Sequence, residues 1–243
     1  MGNTHSASSG STLKKHIETA TKTGVLQYDN KKLKEISPGL CLPNLRTLSL
    51  NDNELQTIPM EISLMVNLKN LSLRNNQIVQ LPDCFGQLKK LENIQLGQNQ
   101  LRSLPSSFTN LSSLRQLILS NNRFTTIPES ILKLHNLQLL DLTSNQITQI
   151  PDHIQTLQVD ELNLNDNRII KISDHLRFCP RLKTLRLDRN NLDLDTIPVS
   201  LLTDSNLSLL SYDGNRFDEK AFQGKEGYDK YMQRFTASRR KLE

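Results

Sequence analysis

Aliphatic positions recur along this chain in one frame: an aliphatic residue, two variable ones, then an aliphatic–variable–aliphatic triplet with an asparagine three places after it. LRTLSLNDNELQTIP starts the series at Leu45, and LKNLSLRNNQIVQLP follows from Leu68. LENIQLGQNQLRSLP from Leu91, LRQLILSNNRFTTIP from Leu114 and LQLLDLTSNQITQIP from Leu137 keep the frame. VDELNLNDNRIIKIS from Val159 and LKTLRLDRNNLDLDTIP from Leu182 vary it. LSLLSYDGNRF from Leu207 is a degenerate last copy, and VLQYDNKKLKEISP from Val25 is a worn first one with Lys31 in the asparagine slot. Asn53, Asn76, Asn99, Asn122, Asn145, Asn167, Asn190 and Asn215 are therefore spaced by 23, 23, 23, 23, 22, 23 and 25 residues.

Two leucines two positions apart share one face of a short strand, and the residue between them points the other way. One unit cannot keep its leucines from water, so neighbouring units stack into a continuous core. This predicts parallel strands about 4.8 Å apart on one side and bulkier return segments on the other, so the strands line the concave wall. The asparagines can donate to and accept from backbone groups that the turn would otherwise bury unpaired. Pro59, Pro82, Pro105, Pro128, Pro151 and Pro198 suit the departure onto the outer side. Replacing a ladder leucine such as Leu119 by Ala is expected to cost roughly 2–5 kcal/mol.

A stack needs covers at both ends. STLKKHIETATKTG predicts a helix over residues 13–24, with Ser11 or Thr12 as cap, Leu13, Ile17 and Ala20 on one side, and Gly24 as stop. EGYDKYMQRFTASRR spaces Tyr228, Tyr231, Met232 and Phe235 as one helical stripe. The expected partition is a flexible leader over 1–12, a cap helix over 13–24, the repeat array over 25–218, and a C-terminal cap helix with basic tail over 219–243.

The frame resembles the leucine-rich repeat, L-x-x-L-x-L-x-x-N-x-L, over about four fifths of the chain. That resemblance implies an α/β solenoid, a horseshoe with a parallel concave sheet and helical caps at both ends. MGN at the start, HIETATKTGVLQ, CPRLKTLRLDRNNLDL and EGYDKYMQRFTA are similar to the end segments of one intracellular branch of the family. This chain differs from that branch by a longer polar leader, SASSGST. The resemblance implies a lipid-modified N-terminus, membrane association and no catalytic activity; it supplies no binding partner.

Charge and composition narrow the functional classes. The formal charge of +5 divides into +2 over residues 1–24 and +3 over residues 219–243, so the array itself is neutral. A chain that tracks phosphates would carry its basic side chains on a binding face, so nucleic acid is not an expected partner. Cys41, Cys84 and Cys179 have neither disulfide-frame nor zinc spacing and read as small buried apolar residues. The five histidines are scattered, and no Gly-rich phosphate loop occurs, so no enzyme and no cofactor are expected. Asp188, Asp193 and Asp195 span different parts of one coil and read as a solvated loop rather than a metal site. No signal peptide or membrane-spanning run is read, which places the protein in the cytoplasm.

The first residues fit M-G-x-x-x-[ST], which makes Gly2 a candidate for N-myristoylation and the membrane a partner through that lipid. The same stretch also reads as a polar disordered leader. Residues 3–12, fully extended, would tether the anchor by at most about 35 Å. Lys14, Lys15 and His16 at one end and Arg239, Arg240 and Lys241 at the other either assist membrane binding or simply solvate helix ends.

On the concave face the outward columns are mostly polar. Ile118 and Leu139 are apolar, on adjacent strands, and lie near Gln116, Asp141, Glu161, Asn163 and Arg186. That group is the expected contact surface for an unidentified protein partner. The reading is a monomeric, membrane-tethered adaptor; the alternative is a regulatory binder of a small GTPase or phosphatase in signalling, without stable membrane residence.

Overall fold

The computed structural model describes residues 5–240. Nine three-residue strands, one per repeat, form a single parallel sheet: Val25–Gln27, Thr47–Ser49, Asn70–Ser72, Asn93–Gln95, Gln116–Ile118, Leu139–Asp141, Glu161–Asn163, Thr184–Arg186 and Leu209–Ser211. They are numbered here as repeats 1–9. The register never slips, so Leu26, Leu48, Leu71, Ile94, Leu117, Leu140, Leu162, Leu185 and Leu210 stand opposite one another in one buried row. In repeats 2–8 the last aliphatic residue of the frame, such as Leu50, Leu96 or Leu142, follows just beyond the strand and is fully buried as well. The frame's alternation thus fixes the register, because a one-residue slip would turn every leucine into water.

The asparagines do what their chemistry allows. Asn76 Nδ2 donates to Leu50 O in the previous repeat at 2.9 Å and to Leu73 O in its own at 3.1 Å, while Oδ1 accepts from Leu55 N at 3.0 Å. Asn99, Asn122, Asn145, Asn167 and Asn190 repeat this pattern. Asn215 repeats it at the last turn, half-buried. Repeat 1 has Lys31 in the asparagine slot, yet Asn53 Oδ1 still accepts from Lys31 N and Leu33 N.

A second periodic feature escaped the sequence reading. The residue before each asparagine slot is left-handed: Asn30, Asp52, Asn75, Gln98, Asn121, Ser144, Asp166 and Arg189 have φ between 52° and 56°, and Gly214 has 72°. Asn, Asp and Gly tolerate that region best, which explains most of the column.

Pro59, Pro82, Pro105, Pro128, Pro151 and Pro198 each stand immediately before a short outer helix, and the fixed φ directs the chain into it. Met60–Leu64, Asp83–Gln87, Ser106–Asn110, Glu129–Lys133 and Asp152–Thr156 are 3-10 turns that each bury one large apolar residue or more. Phe85 and Phe108 stack across two of these turns with centroids 5.8 Å apart. Gly86 sits where a Cβ would come within 2.3 Å of Ser107 O, so only glycine allows the two turns to approach. Ser173 replaces proline in repeat 7, and its Oγ caps the turn by accepting from His175 N while donating to Asp152 Oδ1 at 2.6 Å. Repeat 8 is two residues longer between its first leucine and its proline, and the lengthened coil carries the turn Leu194–Thr196, followed by a helix at Val199–Thr203. A two-stranded outer ribbon, Gln149–Ile150 with Lys171–Ile172, was not expected.

The N-terminal helix runs His5–Thr23 rather than starting at Leu13. Ser11 and Thr12 therefore lie inside it and are not its cap, and a flexible leader over 1–12 does not describe residues 5–12. No proline interrupts that stretch, so the turn anchored by buried Ala20 propagates backwards. Leu13 and Ile17 pack on the core, and Gly24, at φ 73°, ends the helix.

At the other end Glu219–Gln223 buries Phe222, and the helix Tyr228–Arg239 lays Tyr228, Tyr231, Met232 and Phe235 on the last repeat. Tyr231 Oη accepts from Leu210 N at 3.0 Å, and Arg234 donates to Leu207 O at 2.9 Å and Leu202 O at 2.5 Å. The bond to Leu210 N occupies a backbone group of the sheet's edge strand that would otherwise be open to pairing, and Arg234 ties the chain before that strand to the helix Val199–Thr203.

Candidate protein-interaction face

With the middle residue of every strand turned inward, the first and third residues form the concave surface, joined by the residue two places further on. In repeats 1–4 this surface is tied up in its own hydrogen bonds. Ser49 Oγ donates to Asp29 Oδ1 at 2.7 Å, Ser72 Oγ to Asn51 Oδ1 at 2.7 Å, and Asn93 Nδ2 to Asn70 Oδ1 at 2.7 Å. Arg74 Nε donates to Gln98 Oε1 at 2.8 Å.

Ile118 and Leu139 are half-buried at the middle of the sheet, and Gln116 is exposed. The register corrects their arrangement: Ile118 stands directly opposite Asp141, and Leu139 opposite Gln116, so the two apolar residues are diagonal neighbours. Leu139 also faces Glu161 on its other side, and Asp141 faces Asn163. Arg186, opposite Asn163, reaches diagonally and donates from Nε to Glu161 Oε1 at 2.7 Å. Asp141 Oδ1 accepts from Thr143 N at 2.9 Å and Asn163 Oδ1 from Asn165 N at 3.1 Å, which steadies both side chains. All seven expected contact residues thus fall on one continuous stretch of repeats 5–8. Gly2 lies outside the described residues.

Other polar groups are structural. Arg189 grips Asp166 with two bonds at 2.5 and 2.7 Å, and that guanidinium holds the Asp166 carboxyl below its usual range. Both groups are solvent-accessible, so the pair contributes little to stability. Burial pushes the Cys179 thiol up to about 12, and burial with nearby Glu61 pushes Cys41 up to about 11. Thiols so protonated are poor nucleophiles. Burial, then the hydrogen bond that Tyr212 donates to Glu219, raises the Tyr212 phenol as well.

Asp193 pairs with Arg216 at 3.4 Å. Among the described residues no group of three or more His, Cys, Asp or Glu side chains is placed to hold a metal ion. An open groove of about 630 Å³ beside the N-terminal helix is lined by Lys15, His16, Thr19, Thr23, Val25, Leu26 and Gln27, with no carboxylate among them. Among the described residues no helix is long and apolar enough to cross a membrane.

A family model described as leucine rich repeat matches residues 43–101, 66–124, 101–147 and 116–169, together over half of the chain. Among solved structures, the plant peptide hormone receptor RGFR1 in complex with RGF2 superposes with a TM-score of 0.66 at 26% identity, covering 79% of this chain and 32% of that one. The Toll–Spatzle complex of Drosophila gives 0.68 at 26% identity, covering 79% and 26%. A plant ice-binding protein gives 0.64 at 26% identity, covering 78% and 64%. The chain therefore spans a third or less of the two chains that were solved as complexes.

Proposed function

The chain belongs to the leucine-rich repeat family, and from that premise we propose that it is a non-enzymatic scaffold or adaptor that binds a protein partner on its strand face. The contact residues are Gln116, Ile118, Leu139, Asp141, Glu161, Asn163 and Arg186. One observation carries the reading: two aliphatic side chains stand outward at mid-sheet, where the flanking repeats hold hydroxyls and amides. Outward apolar residues inside a polar field are what an interface centre needs. The RGFR1–RGF2 and Toll–Spatzle structures are complexes of similar solenoids, which supports a partner for this one. A small GTPase or phosphatase would use the same face, and that narrower reading rests on fold-level analogy.

The proposal includes a cytoplasmic monomer, N-myristoylated at Gly2 and held reversibly at a membrane. It rests on the M-G-x-x-x-[ST] start and on end segments that resemble those of leucine-rich repeat-containing protein 57. With the helix beginning at His5, the anchor is within about 10 Å of it, far less than an extended leader would allow. Lys14, Lys15 and Lys22 are exposed on that helix, close enough to an anionic surface to add about 1 kcal/mol each. One myristoyl chain alone binds bilayers with an association constant near ~10⁴ M⁻¹, so residence is reversible and salt-sensitive.

Two variants test the two halves. Ile118→Asp/Leu139→Asp abolishes partner capture if the face is the interface; unchanged capture counts against it. Acylated protein partitions onto anionic liposomes and Gly2→Ala does not; equal partitioning removes the anchor.

A further inference from the structure

The strand face changes chemistry along the array. In repeats 1–5 its charges balance: one carboxylate, Asp29, which accepts from Ser49 Oγ and Asn51 N, and one cation, Arg74, which bonds Gln98. In repeats 6–9 the same three columns hold Asp141, Glu161, Asp188 and Asp213 against one cation, Arg186, which Glu161 already binds. Among the described residues Asp141, Asp188 and Asp213 form no ion pair; Asp188 accepts from Ser211 Oγ and Asp213 N, and Asp141 from Thr143 N, but no cation neutralises them. This surplus stands on a protein whose net charge is +5, so it is a local feature of one face.

The apolar place on this face is the diagonal pair Ile118 and Leu139, both half-buried at mid-sheet. Strands are about 4.8 Å apart, so Asp188 is about 10 Å and Asp213 about 14 Å across the sheet from Asp141. An extended chain covers those distances in about three to four residues.

On the reading that this face is the docking surface, we infer that its occupant is a basic, extended segment of another protein. One aliphatic residue rests on Ile118 and Leu139, a lysine or arginine meets Asp141, and a second cation three or four residues on meets Asp188 and Asp213. Charge complementarity selects this occupant: an acidic segment would meet three carboxylates without a salt-bridge partner, and like charges brought together at an interface are strongly disfavoured.

Fluorescence anisotropy with the full-length protein tests the inference. The probe is a labelled decapeptide of Gly and Ser with one Leu, a Lys directly after it and an Arg three residues further on. Its control carries Glu in place of both cations. The basic probe should bind at least about tenfold more tightly than the control. Asp141→Asn and Asp213→Asn should each weaken it about threefold, as partly exposed ion pairs do. Glu129→Gln on the outer side should change nothing.

Control binding as tight as the basic probe and lost in Ile118→Asp/Leu139→Asp overturns the basic occupant but leaves the docking face standing. Basic-probe binding untouched by every strand-face variant overturns both. Absence of basic-probe binding overturns the inference. So does a concentration-dependent dimer in sedimentation that Asp141→Asn abolishes, since the occupant is then a second copy.

Discussion

Asn122 has four backbone partners: it accepts from Leu101 N at 2.9 Å and donates to Leu96 O, Leu119 O and Ser120 O at 2.9, 3.0 and 3.3 Å. Alanine there strands a buried amide hydrogen and buried carbonyls, so Asn122→Ala should lower the unfolding free energy by about 3 kcal/mol in urea titration. A loss below about 1 kcal/mol would mean that water replaces the side chain. Aspartate should not rescue the site, because it cannot donate to the three carbonyls. The thiols give a pH-dependent counterpart. Cys41 and Cys179 have raised folded values, about 11 and 12, so their contribution is fully present below the unfolded thiol value near ~8.5 and is lost as pH rises towards the folded ones. The urea midpoint should therefore fall between pH 8 and 11, and Cys41→Ala/Cys179→Ala should fall less steeply over the same range. Neither thiol should alkylate at pH 8 without denaturant; labelling at a free-thiol rate would contradict their burial. At this scale the asparagines were legible because one side-chain chemistry recurs at a fixed spacing. The left-handed residue before each was not, because that column mixes Asp, Asn, Gln, Ser, Arg and Gly. Backbone sterics, rather than one side chain, define it.

The elements that repeat were readable and the elements that terminate were less so. Strand and turn follow from a frame copied many times, and prolines mark the outer turns. The N-terminal helix extends back to His5 through Ser, Ala and Gly that signal nothing helical, because tertiary anchoring at Ala20 outweighs weak local propensity. The outer ribbon at Gln149–Ile150 is a consequence of two neighbouring repeats rather than of either segment alone. The C-terminal helix was read as an apolar lid, and its polar half is as important. Tyr231 and Arg234 satisfy Leu210 N, Leu207 O and Leu202 O. Tyr231→Phe removes one acceptor and should cost about 1–2 kcal/mol, with faster hydrogen exchange confined to the amide of Leu210 and its neighbours. Tyr231→Phe/Arg234→Ala should also promote association in sedimentation, since the edge of repeat 9 becomes available for pairing. Unaltered exchange at Leu210 would show that the lid acts by apolar cover alone.

Across the whole molecule, a neutral array lies between two basic ends, and the proposal assigns the strand face of the first to a protein partner and the second to an anionic surface. Which seven residues share the strand face was legible from the frame, since strand alternation leaves no other choice. Their pairing was not: that Ile118 meets Asp141, and that Arg186 is occupied by Glu161, depends on register across strands. The face is broad and the outer turns are an equally accessible alternative, so position decides between them. Site-specific photo-crosslinking in cells addresses that directly, with the reactive side chain placed at Gln116 on the strand face or at Thr156 on an outer turn, both exposed. The account predicts a discrete adduct with another protein from position 116 and none from position 156. Adducts from 156 alone would contradict it.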